Sequence, residues 1–475
     1  MAVHVLEAPT HTAVIARPKS SANWVLGLTS IASFMVALDA LVVATALSTI
    51  RLDFGASIEM LQWTVNAYNL SFAVLLLFGA ALGDRFGRRL MFLIGLGVFT
   101  AASVACALAP SIGWLIAARA VQGAGGAIVM PVALALLSTA FSPEERPRAL
   151  GLYSGVTGLA LVSGPVIGGA IVQGAAWHWI FWLNIPIGLL TIALAADRIR
   201  NNRLEGPRVA LDVPGLLLAG GASLGLVWGL ARSNDAGWLS AEVVAALGVG
   251  LLLGVAFVAW ELRSRTPMIP MRLFRSRAFS AANVACFLFT AAIFGTLFFV
   301  TQFLQSAQGY TPLQVGLRVL PWTATLFLVA PAAGRLVNRV GERPLIVVGL
   351  LLQAAGLAWL RTIATPDVPF VELIAPFVIA GTGVSMAMPA AQNAVLSAVN
   401  HTEIGKASGT YNAVRFLGGT FGIALSATVF AANGGFASPQ LFTAGFVAAI
   451  GVSALLSFVG ALAGACIPAR GRTSA

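Results

Sequence analysis

Long apolar runs, separated by short clusters of charged, proline and glycine residues, fill the sequence from about residue 23 onward. A helix needs about 20 largely apolar residues to cross the hydrocarbon core of a bilayer. The pattern therefore predicts an all-α polytopic membrane protein with about fourteen transmembrane helices. Their approximate ranges are 23–49, 60–83, 90–109, 112–138, 148–172, 178–197, 213–231, 242–262, 279–304, 314–335, 344–363, 370–396, 406–431 and 440–466.

The basic residues indicate the orientation of these helices. If the N-terminus is cytoplasmic, most of the 28 Lys and Arg residues fall in cytoplasmic loops. Only four arginines then lie on the outer side, namely Arg51, Arg232, Arg318 and Arg361. By the positive-inside rule, both termini are predicted to be cytoplasmic.

The chain also contains an internal repeat. Residues 149–154 recur as residues 407–412, and residues 82–89 recur as residues 336–343. Both copies carry a basic loop on the same side, so the repeat is parallel, as in transporters whose substrate site lies between two six-helix halves. We therefore predict a cytoplasmic tail at 1–22, six-helix bundles at 23–200 and 266–467, two linker helices within 201–265 and a cytoplasmic tail at 468–475.

Composition excludes an ordinary soluble protein. Hydrophobic residues make up 58% of the chain and charged residues only 9%, against about 25% in soluble domains. The net charge of +11 comes in small clusters between apolar runs, which argues against nucleic-acid binding. The three cysteines and four histidines are too scattered to suggest a disulfide framework or a metal site, and we expect no cofactor.

Two charged residues lie inside predicted helices of the first half. A charge at the position of Asp39 costs at least ~2.5–3.5 kcal/mol, so this carboxyl group is neutral, paired or facing a wet cavity. Because burial disfavours the charged form and a nearby cation favours it, such a group can load and release a proton. Arg119 lies at a similar depth, with Gln122 one turn further along, and we expect it to pair with Asp39 directly or through water. The alternatives are a structural role for Asp39 and an Arg119 side chain that reaches the outer surface.

A short basic loop follows the second helix and contains Asp84, Arg85, Gly87, Arg88 and Arg89. Its charge sets topology. We also predict that it gates the cytoplasmic side, with Asp84 bonding to a neighbouring helix or arginine and holding one conformational state. The second copy has Asn338 at the acidic position, so an equivalent contact there would be uncharged.

An unusual apolar stretch runs from Gly158 to Gly169 and includes Gly164, Pro165 and Gly168. In a bilayer, neighbouring helices satisfy the carbonyl that Pro165 frees, and glycines let backbones approach closely. The stretch predicts a kinked, tightly packed helix, with a simple packing seam as the alternative. The second copy has isoleucine in place of Pro165.

Four polar residues are candidates for the lining of a substrate cavity, namely Gln122, Tyr68, Asn412 and Arg415. A cavity arginine attracts anionic groups, although a structural capping role for Arg415 is an equal alternative.

Several of these segments resemble the major facilitator superfamily, in particular its fourteen-helix drug:proton antiporter branch. The loop at 82–89 is similar to the superfamily's signature loop, and Arg119 with Gln122 and Gly123 is similar to the fourth-helix motif, whose arginine is assigned to proton relay. Residues 164–169 are similar to the fifth-helix antiporter motif. The string at 177–188, and Trp63 with Tyr68, resemble segments typical of the fourteen-helix branch.

The sequence also departs from that pattern. Leu41, Ala44 and Ser48 stand where the family's first helix usually has threonine, asparagine and proline, and Ala80 replaces the first glycine of the signature loop. The span 314–335 lacks the carboxylate that exporters of dicationic compounds tend to carry, so the resemblance disfavours such substrates.

The resemblance and the residues together predict a proton-coupled exporter of small amphipathic compounds, such as drugs or antibiotics. It would work by alternating access as a monomer in the plasma membrane, driven by the proton gradient, with Asp39 carrying the proton and Arg119 modulating it. The alternative within transporters is a proton-coupled importer of a small metabolite, which the Gly-Pro stretch argues against. Two alternatives come from other classes of protein. The sequence shows no catalytic set that would support a membrane enzyme and no output domain that would support a non-transporting sensor.

Overall fold

The computed structural model describes residues 19–142, 145–199, 211–400 and 403–468, so most of both predicted tails and the side chain of Asn338 lie outside the described residues. The helices are α1 (Lys19–Phe54), α2 (Ile58–Phe86), α3 (Arg88–Ala107), α4 (Ile112–Ala140), α5 (Arg146–Gly174), α6 (Trp179–Trp182), α7 (Asn184–Arg198), α8 (Val213–Ala236), α9 (Ala241–Arg263), α10 (Arg277–Gln302), α11 (Pro312–Arg318), α12 (Leu320–Thr323), α13 (Thr325–Val340), α14 (Glu342–Ile363), α15 (Phe370–Ser397), α16 (Ile404–Asn433) and α17 (Pro439–Ala465). A 3₁₀ turn at Met271–Arg275 precedes α10, and a π-helical turn at Phe303–Ala307 follows it.

Within the described residues, fourteen spans are long and apolar enough to cross a membrane. The helices α6 and α7 together form one span, α10 with its π turn forms another, and α11 to α13 form a third. The ends of these spans fall within a few residues of the predicted ones. The prediction of an all-α polytopic membrane protein is confirmed.

The basic loop after α2 is a one-residue connection. Gly87 alone separates α2 from α3, and its φ of 107° lies in the region that glycine adopts at low cost. In the repeated copy, Gly341 separates α13 from α14 with a φ of 83°. The conserved turn geometry explains why both copies of this repeat keep a glycine.

The helices form two groups. The first group is α1–α7, in which α4 packs against α2 and α3, and α1 packs against α5. The second group is α10–α17, in which α10 packs against α16 and α17, and α14 packs against α15 and α17. The groups agree with the parallel repeat, while the domain boundaries near residues 200 and 265 stay a prediction.

The extra helices α8 and α9 pair with each other, and α8 contacts both groups. The ring of Trp228 on α8 lies 5.8 Å from the ring of Trp63 on α2. On the other side, the hydroxyl of Thr428 on α16 donates to the carbonyl of Leu230 at 2.8 Å. The pair therefore lies at the boundary where α2 meets α16.

The bundle has two ends, which we name by their charge. The basic face carries the end of α4, the start of α5 and the connections at Gly87, 264–276 and Gly341. The opposite face carries the connections at 55–57, 108–111, 175–178 and 308–311. Close to the opposite face the two groups are in contact. A Cβ atom at Gly169 of α5 would lie 2.8 Å from Cα of Leu313 on α11, and Nε2 of Gln305 donates to the carbonyl of Thr45 on α1 at 3.0 Å.

Closer to the basic face, the same seam is open. Gly151, Gly155 and Gly158 continue the face of α5 that carries Gly169, because they lie on it at helical spacing. Among the residues that the structure describes, no atom lies within 4 Å of a Cβ placed at any of the three. Leu152 in this part of α5 is 52% exposed. The seam between α5 and the second group is therefore closed toward the opposite face and open toward the basic face.

Candidate functional site

A buried cluster of polar side chains surrounds Asp39 inside the first group. Asp39 lies near the middle of α1 and is 1% exposed, and Arg119 on α4 is 0% exposed. Nη1 of Arg119 donates to Oδ2 of Asp39, which makes a direct ion pair. Of the two arrangements that the sequence left open, the structure has the direct one. The alternative in which Arg119 reaches the outer surface does not occur.

Two amides complete the coordination of the Asp39 carboxylate. Its Oδ1 accepts from Nε2 of Gln122 at 2.8 Å and from Nδ2 of Asn184 at 2.7 Å. The Gln122 amide also donates to Oγ of Ser103 at 2.8 Å. Asp39 thus accepts from a guanidinium and two amides, a set of donors that fits an ionised carboxylate, which is an acceptor only.

Arg119 has further partners besides Asp39. Its Nε donates to the carbonyl of Thr64 at 3.2 Å, and its Nη1 donates to Oε1 of Gln122 at 2.7 Å. Its guanidinium lies 4.2 Å from the centre of the Tyr68 ring, within the range of a cation–π contact. Among the described residues, its buried Nη2 has no hydrogen-bond partner. The cation would therefore keep a carbonyl, an amide and an aromatic face if Asp39 took up a proton.

Glycines let α4 fit between its neighbours at this depth. A Cβ atom at Gly123 would lie 3.0 Å from the carbonyl carbon of Tyr68 on α2, and one at Gly125 would lie 2.6 Å from the backbone nitrogen of Phe99 on α3. Helices can approach so closely only where a side chain is absent. The Gly-rich segment after Arg119 is thus a packing element that brings the polar residues of α4 to α1.

The cluster also contains Asn184, Ser103 and Thr64, which are not among the predicted site residues. Asn184 stands in the string at 177–188, and the signal that the sequence offers for it is a polar residue at the start of α7. Ser103 is one small residue in an apolar helix, and Thr64 contributes only its backbone carbonyl. Neither carried a signal in the sequence.

The four candidates for a substrate cavity fall into two pairs, one in each group of helices. Tyr68 and Gln122 belong to the buried cluster, and the Tyr68 hydroxyl donates to the carbonyl of Val36 at 3.0 Å. Asn412 and Arg415 lie on α16 in the second group. The Asn412 amide donates to the carbonyl of Ser408 on the same helix, and the Arg415 guanidinium lies 5.3 Å from the ring centre of Phe416. The expectation of one shared lining needs correction, because the polar atoms of Gln122 and Tyr68 are already bonded inside the first group.

The basic loop makes its bonds within the first group. Nη2 of Arg88 donates to Oδ1 of Asp84 at 3.0 Å, and its Nη1 donates to the carbonyl of Ala135 on α4 at 3.2 Å. The side chain of Arg89 donates to the carbonyl of Ala196 on α7. Asp84 does bond to an arginine, as one of the two predicted options, but this bond joins α2 to α3. A gating role for the loop stays a prediction.

The Gly-Pro stretch of α5 contacts α1 on one face and the second group on another. A Cβ atom at Gly168 would lie 2.6 Å from Cγ2 of Val42 on α1, whereas one at Gly316 of α11 would lie 2.9 Å from Cα of Val166. The stretch is closely packed at Gly168 and Val166, whereas no described atom lies within 4 Å of a Cβ placed at Gly158, and α5 is a continuous helix through this stretch. The segment therefore connects the helix that carries Asp39 to the seam between the groups.

A second polar feature lies on α2, where Gln62, Asn66 and Asn69 share one face at helical spacing. Gln62 lines a cavity of about 40 Å³ with residues of α16, including Ala427 and Thr428. Asn66 and Asn69 are buried, and neither amide has a hydrogen-bond partner among the described residues. Unpaired buried amides are costly, so this stripe at the boundary between the groups is suited to water or a ligand.

Two groups of membrane helices, with a seam along α5 that is closed at one face and open at the other, have the layout of a two-part membrane transporter. The chain matches the Major Facilitator Superfamily over residues 29–423 and belongs to that family. It is a multi-pass plasma-membrane protein.

Two curated relatives illustrate its place in the family. The chain is 34% identical to the tetracenomycin C resistance and export protein of Streptomyces glaucescens, over 86% of this chain and 75% of that protein. It is 37% identical to the cephamycin export protein CmcT of Amycolatopsis lactamdurans, over 86% of this chain and 85% of that protein. These relatives are antibiotic exporters.

Solved structures show the same fold at low sequence identity. A bacterial homologue of the human lysosomal transporter Spinster, in an inward-facing and unoccupied conformation, superposes with a TM-score of 0.68 at 17% identity, covering 95% of this chain and 98% of that one.

Proposed function

We propose that this protein is a proton-coupled exporter of small amphipathic compounds that works by alternating access. The observation that carries the proposal is the buried pair of Asp39 and Arg119 on helices next to the α5 seam. An ionisable residue inside a membrane bundle is costly and is a mark of ion or proton pathways. The export direction draws on the relatives, whose names describe antibiotic resistance and export.

In this proposal Asp39 is the proton carrier and Arg119 adjusts its affinity for the proton. The donors around Asp39 fit the unloaded, ionised carboxylate. A proton taken up there would neutralise the carboxylate and weaken its attraction to Arg119, which keeps its bonds to Thr64 and Gln122. The loaded and unloaded states would then favour different positions of α1.

Contacts of α5 connect the protonation site on α1 to the seam between the two groups of helices. Gly168 packs against Val42, less than one turn from Asp39 on α1, and Gly169 packs against the second group. A shift of α1 on protonation would alter this packing, because closely packed interfaces respond by switching between discrete arrangements. The Gly-Pro stretch is thus proposed to couple protonation to opening at the opposite face, with the basic loop gating the other face.

The substrate would bind at the boundary between the groups. The amides of Gln62, Asn66 and Asn69 supply polar contacts there, and the ring of Phe72 on α2 lies 4.2 Å from the ring of Phe416 on α16. Apolar surface with a few fixed polar groups is typical of small-molecule sites. This combination suits an amphipathic compound, and Arg415 and Asn412 on α16 remain candidates for its second wall.

We infer that the basic face is cytoplasmic, with both termini on that side, because it carries most of the basic residues. The α5 seam, which is open toward the basic face, then fits a state that takes up substrate from the cytoplasm. The proton gradient would be the only energy source, with no cofactor and no enzymatic step, and one chain would be the working unit.

The proposal can be tested in inside-out membrane vesicles from cells that express the protein. Respiration acidifies the vesicle interior, and a pH-sensitive dye reports the gradient. Tetracenomycin C, a cephamycin and ethidium are added in turn at the cytoplasmic side. We expect at least one of them to dissipate part of the gradient, because each molecule moved into the vesicle releases protons from it. Vesicles with Asp39→Asn serve as the matched control and should show no response.

Other outcomes would separate the alternatives. A proton-coupled importer would leave the gradient intact in inside-out vesicles and would accumulate substrate in right-side-out vesicles. A protein that neither changes the gradient nor moves any compound of a broad panel in either orientation would contradict transport and favour a sensor. Chemical conversion of a compound would instead show an enzyme.

A further inference from the structure

A cavity of about 370 Å³ lies at the basic face, away from the Asp39 cluster. Its walls come from the end of α9, the 3₁₀ turn at Met271–Arg275 and the start of α16. Four basic residues line it, namely Arg265, Arg272, Arg275 and Lys406. Its volume lies in the range of small-molecule sites.

The positive charge of this cavity is largely uncompensated. Glu261 also lines it, and Arg272 pairs with Glu403 at 2.6 Å. No ion pair is found for Arg265, Arg275 or Lys406 among the described residues of the chain. Gathering like charges in one cavity is unfavourable unless an anion joins them, so the cavity is suited to an anionic group.

Buried carboxylates fix the wall that carries Arg265. Oε2 of Glu261 accepts from the backbone N–H of Ile269 at 3.2 Å, and Oδ2 of Asp212 accepts from that of Met268 at 3.3 Å. Asp212 also accepts from the indole of Trp260 at 2.7 Å. Glu261 therefore ties the segment between α9 and the 3₁₀ turn to α9, Asp212 ties it to the start of α8, and the cavity is preformed.

The cavity adjoins a surface suited to acyl chains. Leu251, Val255, Val258 and Leu262 lie along one face of α9 at helical spacing and are 63%, 62%, 45% and 66% exposed. Leu262 also lines the cavity itself. An anion bound among the arginines would thus lie at the end of an apolar helix face that runs through the membrane.

We propose that this cavity binds the headgroup of an anionic phospholipid, with its phosphate among the four basic residues and its acyl chains along α9. Basic pockets between transmembrane helices are suited to such headgroups. A free phosphate would satisfy the cations equally well but would make no use of the apolar face of α9. The proposal does not depend on the transport function.

The test uses the purified full-length protein in a mild detergent. The protein is titrated with phosphatidylglycerol, phosphatidylcholine or inorganic phosphate. Native mass spectrometry measures binding, and thermal unfolding measures the change in unfolding temperature. We expect phosphatidylglycerol alone to bind stoichiometrically and to raise the unfolding temperature. The affinity for phosphatidylglycerol should weaken roughly 100-fold, about five-fold for each cation removed, in the triple variant Arg265→Gln/Arg275→Gln/Lys406→Gln. Arg335→Gln, an exposed arginine near the same face, is the matched control and should bind as wild type.

The outcomes are distinct. Equal stabilisation by inorganic phosphate would show a site for a free anion and overturn the lipid assignment. Equal binding of phosphatidylcholine, or unchanged phosphatidylglycerol binding in the triple variant, would overturn the role of the basic residues. If the triple variant unfolds without lipid at a lower temperature than wild type, the three single variants replace it, each with an expected five-fold loss.

Discussion

The contact between Gly169 and α11 gives a sharp test of how the two groups close at the opposite face. An alanine Cβ at this position would lie 2.8 Å from Cα of Leu313 and still closer to the carbonyl oxygen of Pro312. Carbon atoms prefer a separation of about 3.5–4.0 Å, so the backbones must move apart by about 1 Å. Because the obstacle is backbone, no side-chain rotation can relieve it.

Overpacking of this kind costs about 1–3 kcal/mol. Since the clash exists only while the seam is closed, the variant Gly169→Ala should shift the population toward the state open at the opposite face by about 5- to 150-fold. Gly158→Ala is a matched control, because it is on the same helix and face and its Cβ would meet no atom of the described residues within 4 Å.

The populations can be measured with spin labels at Ala176→Cys and Leu317→Cys, on opposite sides of the seam, in a background that carries Cys466→Ser to remove the exposed native thiol. Double electron–electron resonance in nanodiscs should show a longer-distance component in Gly169→Ala and the wild-type distribution in Gly158→Ala. Identical distributions in the two variants would refute the reasoning that this contact limits opening.

Two further predictions concern the polar cluster. Asn184→Ala removes a donor to Asp39, and the loss of about 1–3 kcal/mol acts on the charged carboxylate. The free energy of unfolding in detergent should therefore fall by about 1–3 kcal/mol relative to wild type; a value equal to that of the exposed control Asn433→Ala would contradict this. Arg119→Lys cannot reproduce the fork that bonds Asp39, Gln122 and the Thr64 carbonyl together. It should lower the unfolding temperature and abolish gradient-driven transport, and wild-type values for both would show that the geometry of the guanidinium is unimportant.

Much of the fold was predictable because the bilayer restricts the choices. Apolar length alone located fourteen spans, and Gly87 and Gly341 marked the tight connections in both copies of the repeat. The pairing of Asp39 with Arg119 was also predictable, since an isolated charge at that depth is too costly.

The remaining members of the site depended on how the helices pack. Asn184 and Ser103 reach Asp39 because α7 and α3 lie beside α1 and α4, and a single polar residue in an apolar helix does not reveal its neighbour. The amides of α2 repeat at helical spacing and could have been noticed, but the sequence does not show that they lie opposite α16. Polarity alone predicts a shared cavity lining for Arg415, Asn412 and Gln122, whereas packing places Gln122 in the buried cluster.

The central claim is that Asp39 carries the proton that drives export, and one measurement tests it most directly. Purified wild type, Asp39→Asn and the exposed control Asp367→Asn are reconstituted into proteoliposomes with the compound that gives the largest response in the vesicle assay. Gradient-driven uphill transport and gradient-free exchange are then measured on the same preparations. The account predicts that Asp39→Asn retains exchange, because asparagine fills the same space and can stay hydrogen-bonded, but loses uphill transport. Undiminished uphill transport by Asp39→Asn would contradict the account.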